Sequence, residues 1–156
     1  MHSGKKSQVT IKPSEVNSGI NFLRTDVSDV KQNALIMALW HNVSSTTLST
    51  TISNGDVSVS TIEHLMSALS GMHIDNVLIL IDGPEIPIMD GSSKPFVEFI
   101  EKAKIVSQKK VRKIIKVKKE VKVTKGDSFT MISPNRNFSV DFEIDFDSPI
   151  VNRQAC

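Results

Sequence analysis

Hydrophobic and polar residues alternate along two stretches near the start of the chain, QVTIKP (8–13) and INFLRTD (20–26). Alternation with a period of two is typical of a half-buried strand, and the turn-forming segment SEVNSG separates the two stretches. We therefore predict a first hairpin from them. A second hairpin is predicted for TLSTTISNGDVSVS (47–60), which alternates on both sides of Asn54-Gly55, a strong hairpin signal.

After residue 60 the pattern changes to a helical period. Apolar residues recur with the i, i+3, i+4, i+7 spacing of one helix face, at Ile62, Leu65, Met66 and Leu69. Gly71 is placed to cap the C-terminus of this helix. The next run, NVLILI (76–81), has no polar alternation, so we predict a strand that is covered on both faces or lies centrally under a helix. The helix should pack on that sheet.

The segment DGPEIPIMDGSS (82–93) carries two glycines and two prolines and is predicted to be a loop. Its serines can cap a second helix, KPFVEFIEKA (94–103), which has Pro95 in its first turn. The buried face of this helix is predicted to consist of Phe96, Val97, Phe99 and Ile100. Residues 1–105 are therefore predicted to form a first α+β domain, a two-layer sandwich of mainly antiparallel sheet with two helices.

A shift in composition marks the rest of the chain. Of the 24 residues from Lys102 to Lys125, 11 are Lys or Arg, which we interpret as a linker leading into strands. KVKKEVKV (116–123) alternates Val with charge, so its lysines are predicted to form the solvent face of a strand; a nucleic-acid patch is the alternative, and no aromatic residues stand among the lysines to stack on bases. Residues 109–147 are predicted to form an antiparallel meander. The meander has one apolar face and no partner for it, so residues 106–156 are predicted to be the linker and an incomplete second domain.

Composition narrows the class of protein further. The 156 residues are 39% hydrophobic and 23% charged, as in ordinary globular proteins, and the net charge of +2 is too small by itself to indicate nucleic acid or an anionic membrane as a partner. The single cysteine, Cys156, excludes an internal disulfide and a cysteine-rich zinc site. The longest clean apolar run, VLILI, is far too short to span a membrane. We expect a cytoplasmic protein without stable membrane insertion.

Glu63 and His64 stand side by side in STIEHL (60–65), at the predicted start of the first helix. At about 100° per residue, His64 falls on the side opposite Ile62, which disfavours a core histidine and leaves a solvated surface histidine or a ligand in a cleft. Glu63 can form a capping box with Ser60, or its carboxylate can be free to take a proton from water. The positive end of the helix dipole favours an ionised Glu63 and a neutral His64, the states of a general base and a metal ligand.

A zinc hydrolase needs three protein ligands, an open position for water and a nearby base. The chain contains His2, His41, His64 and His73, without a His-Glu-x-x-His or a His-x-x-x-Asp motif. Spacing alone therefore identifies no second or third ligand, and the residues indicate at most half of a metal site.

Several segments together show a family resemblance. STIEHLMSALSGMHIDNVLILIDGPEIPIMDGSSKPFV (60–97) closely resembles the zinc-dependent UDP-(3-O-acyl)-N-acetylglucosamine deacetylases of lipid A biosynthesis, and HSGK (2–5), RTD (24–26) and DFEIDFDSPI (141–150) match the same family in the same order. The resemblance implies two similar α+β domains with zinc between them. It further implies His64 as a zinc ligand, Glu63 as the general base, and Asp145 and Phe146 near the nucleotide end of the substrate. His2 matches a motif histidine at the cleft edge, with no role assigned.

The chain also departs from that family. The other zinc ligands of the family come from a His-x-x-x-Asp motif in the second domain, and its general acid from a downstream histidine; this sequence lacks both, and its start matches the family with the first strand missing. From the resemblance we therefore expect a member of a deacetylase family that releases acetate from an acylated UDP-amino sugar. The 156-residue chain itself is expected to be inactive or nearly so in isolation. The alternative is a non-catalytic module that pairs with a separate second half or another protein. A basic nucleic-acid binder using residues 102–125 is a third, weaker hypothesis.

Overall fold

The structure is a computed structural model and describes residues 2–27 and 34–155. The chain divides into two compact units, Met1–Arg112 and Lys113–Cys156. The side chain of Arg112 still belongs to the first unit, because its Nε donates to the carboxylate of Asp75 at 2.9 Å and its guanidinium donates to the carbonyl of His73 at 2.8 Å. The domain boundary predicted between residues 105 and 106 stays a prediction.

The first unit is a mixture of strands and helices. In chain order its elements are β1 (Val9–Pro13), β2 (Ile20–Arg24), β3 (Leu35–Met37), a 3-10 turn (Trp40–Asn42), β4 (Val43–Ser45), β5 (Thr51–Asn54), β6 (Val57–Val59), α1 (Glu63–Gly71), β7 (Val77–Ile81) and α2 (Lys94–Ala103). With the short strands of the second unit, these elements confirm the predicted α+β class. Within the described residues, no helix is long and apolar enough to cross a membrane.

The larger sheet has four strands in the order β1-β7-β2-β3. β7 pairs antiparallel with β1 and parallel with β2, and β3 pairs antiparallel with β2. The predicted first hairpin is therefore wrong, because β7 lies between β1 and β2. β7 is the most continuously apolar strand. It lies inside the sheet, where both of its edges are paired and its residues Val77, Ile79 and Ile81 are buried. Its predicted central position is confirmed.

The smaller sheet has the order β4-β5-β6. β5 and β6 form the second predicted hairpin, with Asn54 opposite Val57. The two-residue turn is consequently Gly55-Asp56, one position later than Asn54-Gly55. Gly55 has φ of 58°, a left-handed conformation that glycine adopts without steric penalty.

One buried cluster joins the helices to both sheets. Its buried members are Phe22, Ile36, Ile52, Val57, Val59, Ile62, Leu65, Ala68, Leu69, Val77, Ile79, Ile81, Ile86, Phe96 and Ile100. α1 contributes Leu65, Ala68 and Leu69, which confirms that this helix packs on the sheet. The helix ends at Gly71, but Met72 takes the cap position and His73, with φ of 57°, adopts the left-handed conformation.

α2 has the predicted bounds and has Pro95 in its first turn. Only part of its predicted buried face is buried, because Phe96 and Ile100 lie in the core whereas Phe99 is 50% exposed. The buried stripe is narrow: Phe96 and Ile100 stand one turn apart, and Phe99 falls beside them rather than between them. Ser93 occupies the cap position without a side-chain cap bond, while Ser92 Oγ accepts a hydrogen bond from the Lys94 N–H at 3.2 Å.

The second unit contains two separate pairs of antiparallel strands. β8 (Val121–Lys125) pairs with β9 (Ser128–Ile132), and β10 (Glu143–Asp145) pairs with β11 (Arg153–Ala155). The continuous meander predicted for residues 109–147 is therefore wrong. The apolar alternation from Phe138 to Phe146 forms a strand only at its end, and this strand pairs with residues downstream of the predicted region.

Candidate active site around Glu63 and His64

The chain enters α1 from a short pairing between Ser60 and the loop that follows β7. The Ser60 N–H donates to the Pro84 carbonyl at 2.9 Å, and the Ile86 N–H donates to the Ser60 carbonyl at 3.0 Å. The Ser60 hydroxyl also donates to Pro84, at 3.2 Å. The hypothesis of a capping box is therefore wrong, because Ser60 uses both its N–H and its hydroxyl on the distant loop instead of on Glu63.

The Glu63 carboxylate is held by a different part of the chain. Its Oε2 accepts a hydrogen bond from the Thr50 N–H at 3.0 Å, and the Ile62 N–H donates back to the Thr50 carbonyl at 3.4 Å. Glu63 is half-buried, and its Oε1 accepts no hydrogen bond from residues 2–27 or 34–155. One carboxylate oxygen thus fixes the orientation of the side chain, while the other remains available to accept a proton.

His64 follows Glu63 in the first turn of α1 and is half-buried. Neither of its ring nitrogens has a hydrogen-bond partner among the described side chains or backbone groups. It is not one of the buried members of the core cluster, in agreement with its predicted place away from the apolar stripe. No described group therefore occupies its ring nitrogens, and an imidazole nitrogen is a common metal ligand.

An open groove of about 390 Å³ lies on the Glu63 side of the helix. Its lining is mainly apolar, and it is contributed by the segment around the 3-10 turn, by β5 and by α1; prominent members are Leu39, Trp40, Ile52, Ile62 and Met66. Among the described residues that line it, Glu63 is the single ionisable one, and Trp40 is 86% exposed at the rim. The carboxylate consequently meets solvent beside apolar surface.

The described residues contain no cluster of three or more His, Cys, Asp or Glu side chains that could hold a metal ion. His64 alone offers one ligand, whereas a catalytic zinc site needs three. The described residues therefore do not make up a complete zinc site.

The other predicted site residues lie elsewhere. Asp145 is the last residue of β10, opposite Arg153 of β11, and Phe146 follows it with 58% of its surface exposed. Both belong to the second unit. His2 is exposed, and its backbone N–H, rather than its ring, donates to Glu85 Oε1 at 2.8 Å. The structure thus brings Glu63 and His64 together in the first unit and Asp145 and Phe146 together in the second.

Comparison with known proteins settles the family. The family model for LpxC, UDP-3-O-acyl N-acetylglycosamine deacetylase, matches residues 1–156. The chain belongs to this deacetylase family. It is 43% identical over 155 residues to the UDP-3-O-acyl-N-acetylglucosamine deacetylase of Syntrophus aciditrophicus, and the match covers 99% of this chain and 48% of that relative. The chain therefore spans about half the length of the curated relative that it matches.

One buried residue of this deacetylase-family chain was not identified from the sequence. Glu85 is 2% exposed, and its carboxylate accepts hydrogen bonds from the N–H groups of His2 and Ser3 and from the Thr61 hydroxyl. Burial by itself raises the pKa of Glu85, but hydrogen bonds to its carboxylate, those from Ser3 and His2 among them, outweigh it and hold the pKa well below its usual range. The only local signal was a carboxylate between two prolines in PEIP, which does not reveal burial.

Proposed function

We propose that the protein takes part in zinc-dependent hydrolysis of the acetamide of UDP-(3-O-acyl)-N-acetylglucosamine, a cytoplasmic step of lipid A biosynthesis. The observation that carries the proposal is the adjacency of Glu63 and His64, with the carboxylate oriented by Thr50 and the imidazole without a hydrogen-bond partner among the described residues. The family membership supports the reaction class.

In this proposal Glu63 is the general base and His64 is one zinc ligand. With Oε2 held by the Thr50 N–H, Oε1 can take the proton of the attacking water. In a site completed by further ligands, zinc held in part by His64 would supply a Lewis acid for the acetamide carbonyl. The other two ligands would come from residues outside this chain, and Asp145 and Phe146 would lie near the nucleotide end of the substrate.

The groove beside Glu63 supports a substrate that combines apolar and polar parts. Its apolar lining suits an aliphatic portion of a ligand, while the carboxylate at its edge suits a polar reacting group. The name of the Syntrophus relative, a UDP-3-O-acyl-N-acetylglucosamine deacetylase, describes a molecule of this kind.

The second unit favours a second candidate function, a non-catalytic module that pairs with a complementary chain. Phe138 and Ile150 are each 92% exposed, and Phe129 is 61% exposed. Such side chains gain free energy when a partner removes them from water. Co-elution of the chain with a separately expressed second half on a sizing column would support pairing; elution of two separate species would contradict it.

A first experiment tests the isolated chain. Purified protein is incubated with zinc and UDP-(3-O-acyl)-N-acetylglucosamine, and acetate release is measured. We expect no release above the uncatalysed background, because a single imidazole does not hold catalytic zinc. Acetate release at ordinary enzymatic rates would contradict the requirement for ligands from outside this chain.

A second experiment adds the portion of the relative that this chain does not match. The chain is fused to the portion of the Syntrophus deacetylase that lies outside the match, and the fusion is assayed for acetate release and zinc content. In an active fusion, Glu63→Gln should lower kcat by about 10²- to 10⁴-fold with zinc retained, whereas His64→Ala should reduce bound zinc. Glu101→Gln and His73→Ala, both at exposed positions, are the matched controls. Full activity of the Glu63→Gln fusion would refute the assignment of the base.

A further inference from the structure

Glu85 connects three segments of the first unit through one buried side chain. Its Oε1 accepts hydrogen bonds from the His2 N–H at 2.8 Å and from the Thr61 hydroxyl at 3.1 Å, and its Oε2 accepts one from the Ser3 N–H at 2.7 Å. Its backbone carbonyl accepts a further bond from the Ser7 hydroxyl at 2.6 Å. Hydrogen bonds to Glu85 therefore hold both the start of the chain and Thr61, the residue that precedes Ile62.

Thr61, the residue that Glu85 contacts before α1, has an unfavourable backbone conformation. Its φ is 57°, in the left-handed region, and its side chain is β-branched. For a β-branched residue this conformation is a genuine outlier, which persists only when the surrounding structure enforces it. Thr61 is only 2% exposed, and its hydroxyl donates to Glu85, so the enforcing contacts include the carboxylate.

The conformation of Thr61 controls how the chain enters α1. Glu63 lies two residues further on, and both Ile62 and Glu63 are hydrogen-bonded to Thr50. If φ of Thr61 relaxed to a negative value, the direction of the chain into the helix would change. The Glu63 carboxylate would then move away from the Thr50 N–H that holds it.

We propose that Glu85 is a positioning residue for Glu63 and His64, because its carboxylate holds Thr61 in the left-handed conformation that sets the entry into α1. This proposal depends on the proposed function in one respect only, namely that Glu63 and His64 take part in catalysis. The alternative is that Glu85 merely anchors His2 and Ser3, in which case its loss would not act through Thr61.

The test uses amide hydrogen exchange of the complete 156-residue chain, followed residue by residue by NMR. Thr50 reports on the bond to Glu63, and Ile79 in the central strand β7 reports on the stability of the core. Glu85→Gln should speed exchange at Thr50 by about tenfold or more relative to any change at Ile79. Glu101→Gln, at an exposed position on α2, is the matched control and should change neither amide.

Thr61→Gly provides the readout that an anchoring role would not affect. Glycine adopts positive φ without strain, so in the Thr61→Gly background the additional Glu85→Gln change should alter Thr50 exchange only a few-fold. An unchanged tenfold effect in that background would overturn the proposal. So would exchange at Thr50 and Ile79 that rises equally in Glu85→Gln.

Thr61→Val covers the case in which Glu85→Gln fails to fold. It removes the hydroxyl that donates to Glu85 but keeps the β-branched shape and the bonds from His2 and Ser3. Faster exchange at Thr50 is expected, and unchanged exchange would overturn the proposal. Neither measurement depends on zinc or turnover, so these outcomes are independent of whether the fusion enzyme releases acetate.

Discussion

The two units of the chain contain similar apolar residues but bury them very differently. In the first unit, Phe22, Leu65 and Ile79 are fully buried. In the second unit, no described residue from 113 to 155 is buried, although Phe129, Phe138 and Phe142 follow the same kind of alternation that marks strands in the first. An apolar face becomes a core only when a second layer covers it, and in the first unit the helices α1 and α2 supply that layer.

The largest expected difference between the units is in the response to removing a phenylalanine. Phe22→Ala should lower the free energy of unfolding of the first unit by about 3–5 kcal/mol, because Phe22 has 0% exposure and its loss leaves a cavity. Phe138→Ala should change it by less than about 0.5 kcal/mol, because Phe138 is 92% exposed. Urea titration followed by circular dichroism measures both variants. Equal losses would break the comparison and indicate that Phe138 is packed in solution.

A second, smaller effect is the loss of stability of the first unit at low pH. The pKa of Glu85 is lowered in the folded chain from its ordinary value of 4.5. A carboxylate with a depressed folded pKa contributes stability that is complete above the unfolded value and is lost as the pH falls below it. The first unit should therefore lose stability progressively as the pH falls below about 4.5 toward the folded pKa.

Glu85→Gln tests this acid sensitivity. The variant has no titrating group at position 85, so urea midpoints measured over a series of pH values should fall less steeply below pH 4.5 than those of the unaltered chain. Glu101→Gln on the exposed face of α2 shows the effect of removing one negative charge elsewhere. A slope for Glu85→Gln equal to that of the unaltered chain would mean that the loss of stability arises from other carboxylates.

Local features of the first unit were predictable from sequence. The bounds of α2 follow from its period and Pro95, the start of α1 follows from the stripe that begins at Ile62, and the hairpin follows from the residues around Gly55. In each case the interacting residues lie within a few positions of one another. Propensity and periodicity describe such neighbours directly.

Contacts between distant segments were not predictable in the same way. The insertion of β7 between β1 and β2 depends on the pairing of β2 with β7, and more than 50 residues separate the end of β2 at Arg24 from the start of β7 at Val77. The alternation within each strand does not encode such a distant pairing. Likewise Ser60 satisfies its N–H with Pro84, 24 positions away, and not with Glu63 as the local motif suggested. The part of the site that sequence identified, Glu63 with His64, is contiguous, whereas Thr50 and Glu85, which hold it, are distant in the chain.

The smallest predicted effect on stability concerns a type of hairpin turn that occurs in each unit. The β5–β6 and β8–β9 hairpins both have a Gly-Asp turn, and Gly55 and Gly126 both have φ of 58°. Alanine at either position should meet a similar local strain of about 1 kcal/mol, since a Cβ atom disfavours the left-handed conformation. The strain is the same, but the two hairpins differ in how many buried side chains they contribute.

β5 and β6 contribute Ile52, Val57 and Val59 to the buried cluster, whereas every residue of β8 and β9 is exposed. Gly55→Ala should therefore lower the unfolding free energy of the first unit by about 1 kcal/mol in urea titration, because the strained turn must form for that unit to fold. Gly126→Ala should leave the same transition within about 0.3 kcal/mol and speed amide exchange only within β8 and β9. A matching loss in both variants would show that folding of the first unit requires the second hairpin, and that exposure alone does not separate the two units energetically.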